Sequence, residues 1–129
     1  MIDNRDNYFE NPDVEMWLNN GIIHSRLKQN TTIKQANAKA IVQGRLGICN
    51  GKSYPLLSDV RNIKAIDKEA RAYLAAGESL HLVSAGAILI NSLAQEVGAN
   101  FFLNFDRPKV PAKFFTCEEK AIEWLASFK

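Results

Sequence analysis

The side chains that could perform nucleophilic chemistry in this sequence are few and scattered. The chain has two cysteines, Cys49 and Cys117, and two histidines, His24 and His81. Cys117 falls in the first turn of a predicted last helix, where the helix dipole lowers the pKa of a thiol. A catalytic thiol also needs a neighbouring base and an oxyanion-stabilising group, and no spacing in the sequence brings a histidine next to Cys117. An oxidation-sensitive thiol is the alternative interpretation.

Carboxylates and metal ligands give no stronger signal of catalysis. The acidic residues form no pair typical of general acid–base catalysis, and the cysteines and histidines have no CxxC or other metal-ligand spacing. The segment "GRLGICNG" is rich in glycine, but it follows a predicted helix, whereas a phosphate-binding loop joins a strand to a helix. We therefore expect a protein that is not an enzyme and that needs no metal or cofactor.

Two clusters of charged residues could instead bind a partner. One cluster surrounds the start of a predicted helix, and the other lies in the proline-containing segment "DRPKVP". They predict a docking surface for an acidic protein, and a solvated loop and helix face is the alternative interpretation. The predicted surface consists of Asp59, Arg61, Lys64, Asp67, Lys68, Arg71, Arg107 and Lys109.

A long stretch without acidic residues raises the question of nucleic-acid binding. No Asp or Glu lies between Glu15 and Asp59. The formal net charge of the chain is only +2, which argues against a nucleic-acid partner. Weak binding through this half of the chain is a lesser hypothesis, and its cations are Arg26, Lys28, Lys34, Lys39, Arg45 and Lys52.

Length and hydropathy define the broad class of the protein. A chain of 129 residues, 47% hydrophobic and 23% charged, fits one globular domain spanning residues 1–129. No apolar run reaches the ~20 residues of a membrane span, and the polar, acidic N-terminus does not resemble a signal peptide. We expect a cytoplasmic protein that is not inserted in a membrane and whose cysteines are reduced.

The first half of the chain predicts a hairpin, a helix and a strand. Apolar residues alternate in "VEMWLNNGIIHSRLK" around Asn20-Gly21, which accepts the positive φ angles of a tight turn, and the alternation places His24 on the exposed face. A helix follows a capping-box pattern at Thr32 and Gln35. "YPLLSDV" then predicts a buried strand. The apolar residues at helical spacing are Ile33, Ala36, Ala40, Gly44 and Ile48.

The second half predicts three helices and two strands. Asp67 is expected to cap a second helix, and the continuously apolar "SAGAILI" predicts a central parallel strand covered on both faces. A third helix is predicted to begin at Ser92, and "AKFF" predicts a short strand. Thr116 and Glu119 form a capping-box pattern for the last helix.

The resulting element order, β-β-α-β-α-β-α-β-α, defines the fold class. Strands that alternate with helices predict a mostly parallel sheet with helices packed on it. The N-terminal hairpin must add an antiparallel pair, so the sheet is mixed. We predict a single α/β domain with a five-stranded sheet and four helices.

This order, together with "LLSDVRNIKAIDKEARAYLA" at residues 56–75, resembles the STAS fold of SpoIIAA-like anti-anti-sigma factors. The chain is also similar, over most of its length, to uncharacterised bacterial proteins described as STAS/Sec14-like. That similarity is strongest in "NFFLNFDRPKVPAKFFTCEEKAIEWL", where a helix, a proline-containing loop, a short strand and a helix follow one another. The resemblance implies a fold and leaves the activity open, because one fold serves many functions.

Regulatory STAS domains are switched by phosphorylation of a serine, and this chain departs from their pattern at that position. The pattern has an Asp, seven residues, and then Asp-Ser-Ser-Gly; Asp59 and Asp67 reproduce the spacing of the aspartates. Lys68 occupies the position of the phosphorylated serine, and a lysine has no hydroxyl to accept phosphate. The resemblance implies a regulatory protein-interaction module that lacks this switch and uses the edge from Asp59 to Arg71 for contacts.

The Sec14-type resemblance implies a second function, because those proteins hold a lipid in an apolar space between helices and sheet. A few polar groups among apolar walls orient such a ligand, although an aromatic cluster at helical spacing is usually core. The leading hypothesis is therefore the interaction module, with homodimerisation open, and the alternative is binding of a small lipophilic ligand. The candidate pocket residues are Asn91, Ser92, Phe101, Asn104, Phe105 and Trp124.

Overall fold

The computed structural model describes residues 7–75, 77–91 and 110–129. In chain order the elements are β1 (Tyr8–Glu10), β2 (Val14–Asn19), β3 (Ile22–Leu27), β4 (Thr32–Ile33), α1 (Gln35–Cys49), β5 (Tyr54–Asp59), β6 (Ala65–Ile66), α2 (Lys68–Leu74), a 3₁₀ helix (Gly77–Leu80), β7 (Val83–Leu89), β8 (Ala112–Phe115) and α3 (Glu118–Ala126). The main sheet has six strands in the order β1-β2-β3-β5-β7-β8, and β4 and β6 form a separate two-stranded sheet.

The predicted hairpin is confirmed. Strands β2 and β3 pair antiparallel from Val14↔Leu27 to Asn19↔Ile22. The two residues between them, Asn20 and Gly21, have φ angles of 52° and 76°, which is the conformation that a tight primed turn requires.

The parallel part of the sheet is also confirmed. Strand β5 pairs parallel with β3 and with β7, and β7 pairs parallel with β8. Strand β7 is therefore interior, and both of its neighbours run in its own direction. Ala85, Ala87 and Leu89 of this strand are buried against α3, as the apolar sequence of an interior strand predicts.

The prediction of five strands is wrong by one for the main sheet. Strand β1 pairs antiparallel with β2, with Tyr8 opposite Trp17. It spans three residues, too few for an alternating apolar pattern to be read from the sequence. The Tyr8 hydroxyl hydrogen-bonds to Glu15 at 2.8 Å and to Glu10 at 2.9 Å, so polar contacts that hydropathy does not reveal help to hold this strand.

Two of the three predicted helix starts that lie in the described residues require correction. Thr32 lies in β4, and α1 begins after Lys34, whose backbone N–H donates to Asn37 Oδ1 at 2.9 Å. Asp67 caps α2 as predicted, accepting from the Ala70 N–H at 2.8 Å. The last helix begins after Cys117, with no side-chain cap, in place of the predicted Thr116.

The number of helices differs from the prediction as well. The described residues form three α-helices, α1 to α3. The predicted helix beginning at Ser92 falls in 92–109, outside the described residues, and stays a prediction.

The sheet separates two apolar cores. One face packs against α1 and α2 through residues such as Met16, Ile23 and Ile41. The other face packs against α3, where Leu57 and Leu89 belong to the same cluster as Ala121 and Leu125 on that helix, and Ala85 and Ala87 complete it. Successive residues of a strand point to opposite faces, so Leu56 of β5 packs in the first core and Leu57 in the second.

Candidate functional site

A cavity of about 310 Å³ lies on the face of the sheet that carries α1 and α2. Its walls come from strands, helices and connecting segments, so no single stretch of sequence contains it. The sheet contributes Leu56 and Ser58 from β5, Ile88 from β7 and Phe114 from β8. Most of the wall is aliphatic, as is typical of sites for small apolar molecules.

Gly86 explains part of the space. It lies in β7 between Leu56 of β5 and Ala112 of β8, and it lines the cavity. A Cβ atom built at Gly86 would meet no atom within 4 Å. Its register neighbours Leu56 and Ala112 have side chains. The absence of a side chain at Gly86 therefore leaves open space on this face of the sheet.

Arg45 brings a positive charge into this apolar wall. The residue lies on α1, lines the cavity and is only 3% exposed. Its guanidinium donates from Nη2 to the Ser79 carbonyl at 3.1 Å and from Nη1 to Cys49 Sγ at 3.6 Å. Burial lowers the pKa of Arg45 and raises the pKa of the Cys49 thiol, so the thiol does not supply a negative charge.

Arg71 is a second cation of the cavity wall. It lies on α2, is half-buried, and donates from Nη1 to the Ile66 carbonyl at 2.9 Å. Among the described residues that line the cavity, Arg45 and Arg71 are the charged ones, and no carboxylate is present. The described part of the wall therefore carries positive charge without a carboxylate to compensate it.

The predicted interaction surface is partly neutralised within the chain. Asp59 is 6% exposed, and its carboxylate accepts from Arg61 Nε at 2.9 Å and from Arg61 Nη2 at 2.8 Å. Arg61 also lies 3.6 Å from Glu118. Although burial raises the pKa of Asp59, the hydrogen bonds from Arg61 hold it below its usual value.

The remaining members of that surface have different environments. The Asp67 side chain serves as the cap of α2, and Arg71 belongs to the cavity wall. Lys64 and Lys68 are exposed. Arg107 and Lys109 lie outside the described residues. The exposed cations at this edge are thus fewer than the sequence suggests.

The predicted pocket residues are not brought together in the described part of the chain. Asn91 is exposed, and its side-chain amide donates to the Arg61 carbonyl at 2.7 Å. Trp124 packs against Phe115 and Phe128 in the core next to α3, across the sheet from the cavity. Ser92, Phe101, Asn104 and Phe105 lie outside the described residues.

The described histidines and cysteines have different environments. His24 was expected to be exposed, but it is 8% exposed and stacks on Trp17 with 5.2 Å between ring centroids. Burial lowers the pKa of His24. Both cysteines are free. The described residues contain no cluster of three or more His, Cys, Asp or Glu side chains that could hold a metal.

Sequence reasoning named Arg45 only as a cation of the stretch without acidic residues, whereas the structure buries it, and it did not name Gly86. A signal for the burial of Arg45 existed. The predicted apolar face of α1 had the wrong phase, because Ala36 and Ala40 are exposed. The buried stripe consists of Ala38, Ile41, Val42, Arg45, Ile48 and Cys49. Arg45 is spaced at three and four residues from Val42, Ile41, Ile48 and Cys49, so it falls on the apolar stripe of the helix. This spacing indicates a buried charge.

Comparison with family models shows the family of the chain. The model of a domain of unknown function, DUF7793, matches residues 16–129. The chain belongs to the DUF7793 family. No curated protein matches it.

Comparison with solved structures supports the fold. A protein of the DUF3478 family from Shewanella loihica PV-4, described as uncharacterised with a SpoIIAA-like fold, superposes with a TM-score of 0.59 at 14% identity. The alignment covers 87% of this chain and 91% of that one. The predicted resemblance to SpoIIAA-like proteins is thereby confirmed as a likeness of fold.

A second solved structure, a protein of unknown function from Arthrobacter sp. FB24, aligns at 26% identity. Its TM-score is 0.34, and the alignment covers 86% of this chain and 97% of that one.

Among the described helices, none combines the length and the hydropathy that crossing a bilayer would require.

Proposed function

We propose that this domain is a non-enzymatic binding module whose cavity on the α1 and α2 face holds a small lipophilic ligand. The observation that supports it is the cavity of about 310 Å³ with its largely aliphatic wall. Pockets for small molecules have volumes of roughly 300–1,000 Å³ and a few polar groups among apolar ones. Ser25, Ser58 and Ser79 are the uncharged polar residues of this wall.

A neutral apolar probe tests this proposal independently of charge. Titration of 1-octanol should raise the thermal midpoint of the wild-type protein, because a ligand at 100 times its Kd stabilises the folded state by about 2.7 kcal/mol. Gly86→Leu should abolish this rise, since its side chain would occupy the open space beside β7. Equal binding of 1-octanol by Gly86→Leu, or absence of wild-type binding by both 1-octanol and anionic amphiphiles of the same chain length, would contradict the proposal.

Gly47→Ala is the matched control for that experiment. Gly47 is exposed on α1, and a Cβ atom there would also meet no atom within 4 Å. Alanine is favoured over glycine inside a helix by ~0.5–1 kcal/mol. This variant should be more stable than the wild type and bind 1-octanol with unchanged affinity, which separates filling of the cavity from a general gain of stability.

Protein interaction is the second candidate function, and the exposure of Lys64 and Lys68 favours it. These lysines flank β6 and the start of α2, where they could contact an acidic partner protein. Lys64→Glu with Lys68→Glu should abolish co-purification of such a partner and leave the thermal midpoint nearly unchanged. Lys34→Glu with Lys52→Glu, two exposed lysines elsewhere, is the control; equal loss of the partner in both pairs would contradict this surface.

The cellular setting belongs to the same proposal. Two free cysteines, one of them buried, fit a reducing compartment, and we propose that the protein acts in the cytoplasm of a bacterium as a regulatory module that is not inserted in a membrane. Native mass spectrometry of the gently purified protein distinguishes the two candidate functions. A second polypeptide would support protein interaction, and an adduct of a few hundred daltons would support ligand binding.

A further inference from the structure

We infer that the ligand of the cavity carries an anionic head group, a carboxylate or a phosphate, which the guanidinium of Arg45 binds inside the apolar wall. This inference rests on the proposed ligand-binding function and names the chemical class of the ligand. It is carried by a buried cation in a wall whose described residues include no carboxylate.

The hydrogen bonding of Arg45 leaves capacity for such a ligand. A guanidinium has five N–H donors in a planar fork. Those of Arg45 make one bond to the Ser79 carbonyl at 3.1 Å and one to the Cys49 sulfur at 3.6 Å, and a thiol is a weak acceptor. Carboxylates and phosphates match the fork with two parallel hydrogen bonds. The unused donors of Arg45 are therefore suited to an oxyanion.

The energetics of burial point the same way. A buried charge without a counter-ion destabilises a folded protein, because its lost hydration is not recovered. The carboxylates that the structure pairs with cations are elsewhere: Asp59 and Glu118 with Arg61, and Glu10 with Lys28. An anionic ligand would supply the counter-ion that the described residues do not.

The rest of the wall complements an amphiphile. Arg71 adds a second positive charge, which strengthens the attraction for an anion. Ser25 and Ser58 are register partners on β3 and β5, and both line the cavity, so their hydroxyls can accept or donate a further hydrogen bond. The aliphatic remainder suits a hydrocarbon chain.

Cavity size sets the length of that chain. A volume of about 310 Å³ lies near the lower end of the range for small-molecule pockets, so a ligand of about ten non-hydrogen atoms is a suitable probe. Octanoate has this number of non-hydrogen atoms, and 1-octanol is its neutral counterpart. Octyl phosphate offers the same chain with the other head group.

The test is calorimetric titration of octanoate, octyl phosphate and 1-octanol into the wild-type protein at pH 7.5. The wild type should bind at least one of the two anions tenfold or more tightly than 1-octanol, although the alcohol leaves water more readily. The stronger anion identifies a carboxylate or a phosphate as the head group. Equal or tighter binding of 1-octanol than of both anions would overturn the inference and leave the ligand-binding proposal standing.

Variants assign the preference to Arg45. Arg45→Met should lose the preference for the anions over 1-octanol, whereas Lys39→Met, which removes an exposed cation from the same helix, should keep it. Arg45→Lys retains a charge without the planar fork and should fall between them. Retention of the preference by Arg45→Met would overturn the inference. Absence of binding by all three probes to the wild type would overturn the ligand-binding proposal and this inference together.

Discussion

Arg45 and Arg61 lie on opposite sides of one sheet and show two different uses of a guanidinium. Arg61 forms a bidentate ion pair with Asp59, and its Nη2 lies 3.6 Å from Glu118 Oε1 at the start of α3. Arg45 is more deeply buried and has a carbonyl and a sulfur as its hydrogen-bond partners. We expect Arg61 to stabilise the fold through this ion pair, and we expect Arg45 to reduce the stability of the ligand-free protein, in line with the ligand that we propose.

The largest effect is expected at the compensated pair. Arg61→Met should lower the free energy of unfolding by about 1–3 kcal/mol at pH 7, because it leaves Asp59 buried without its partner. Arg61 holds the pKa of Asp59 below its usual value. The pair therefore stabilises the protein above about pH 4, and its contribution is lost as the pH falls through the folded-state pKa.

Urea unfolding of Arg61→Met and wild type at pH 7 and pH 3 measures this effect. The difference between the two proteins should shrink at pH 3. A difference that is absent at pH 7, or that does not change with pH, would mean that the ion pair does not stabilise this edge.

Replacement of Arg45 is expected to change the free energy of unfolding in the opposite direction to replacement of Arg61. Arg45→Met should raise the free energy of unfolding of the ligand-free protein by ~1 kcal/mol or more, since an apolar side chain of similar size replaces an uncompensated buried charge. Guanidinium chloride unfolding measures the change. A loss of stability similar to that of Arg61→Met would remove the contrast between the two arginines.

Filling the cavity should also stabilise the protein. Gly86→Leu restricts the unfolded chain and adds apolar contacts beside β7, so we expect a gain of about 0.5–1 kcal/mol together with loss of 1-octanol binding. Chemical denaturation gives the first quantity and calorimetry the second. A strongly destabilised Gly86→Leu would show that this region is closely packed and has no room for a ligand.

The smallest effect concerns His24, next to the Asp59 edge. Burial lowers the pKa of His24, so the unfolded state binds more protons and stability is lost as the pH falls below about 6.5. His24→Phe keeps an aromatic ring against Trp17 and removes the titration. The free energy of unfolding of His24→Phe should change less between pH 7.5 and pH 5.5 than that of the wild type, and the two changes should differ by under ~1 kcal/mol. An equal change in both proteins, measured by urea unfolding, would exclude His24 as the source of the pH dependence.

Local signals in the sequence predicted much of the fold. Asn20-Gly21 determined the hairpin turn through its backbone conformation, and Asp67 determined the start of α2 through one hydrogen bond to Ala70. Strand β1 could not be predicted in the same way, because its three residues show no apolar pattern of their own. It is held by backbone pairing with β2 and by the hydrogen bond from Tyr8 to Glu15.

The candidate site was less accessible to sequence reasoning because it depends on contacts between distant segments. Arg45 and Ser79 are brought together by the packing of α1 against the 3₁₀ helix, and Gly86 matters only beside its neighbours in the sheet. The charged residues near Asp59 were recognised as a cluster. Their sequence could not show that Arg61 would be neutralised by its own chain or that Arg71 would line the cavity.

Amide chemical-shift mapping of the wild-type protein during titration with 1-octanol tests the central claim most directly. We predict saturable shifts centred on the cavity wall, at Leu56, Gly86 and Ile88, with little change at Ala121 and Leu125 in the opposite core. Shifts that do not saturate, or that centre on the α3 core, would contradict a ligand site on the α1 and α2 face.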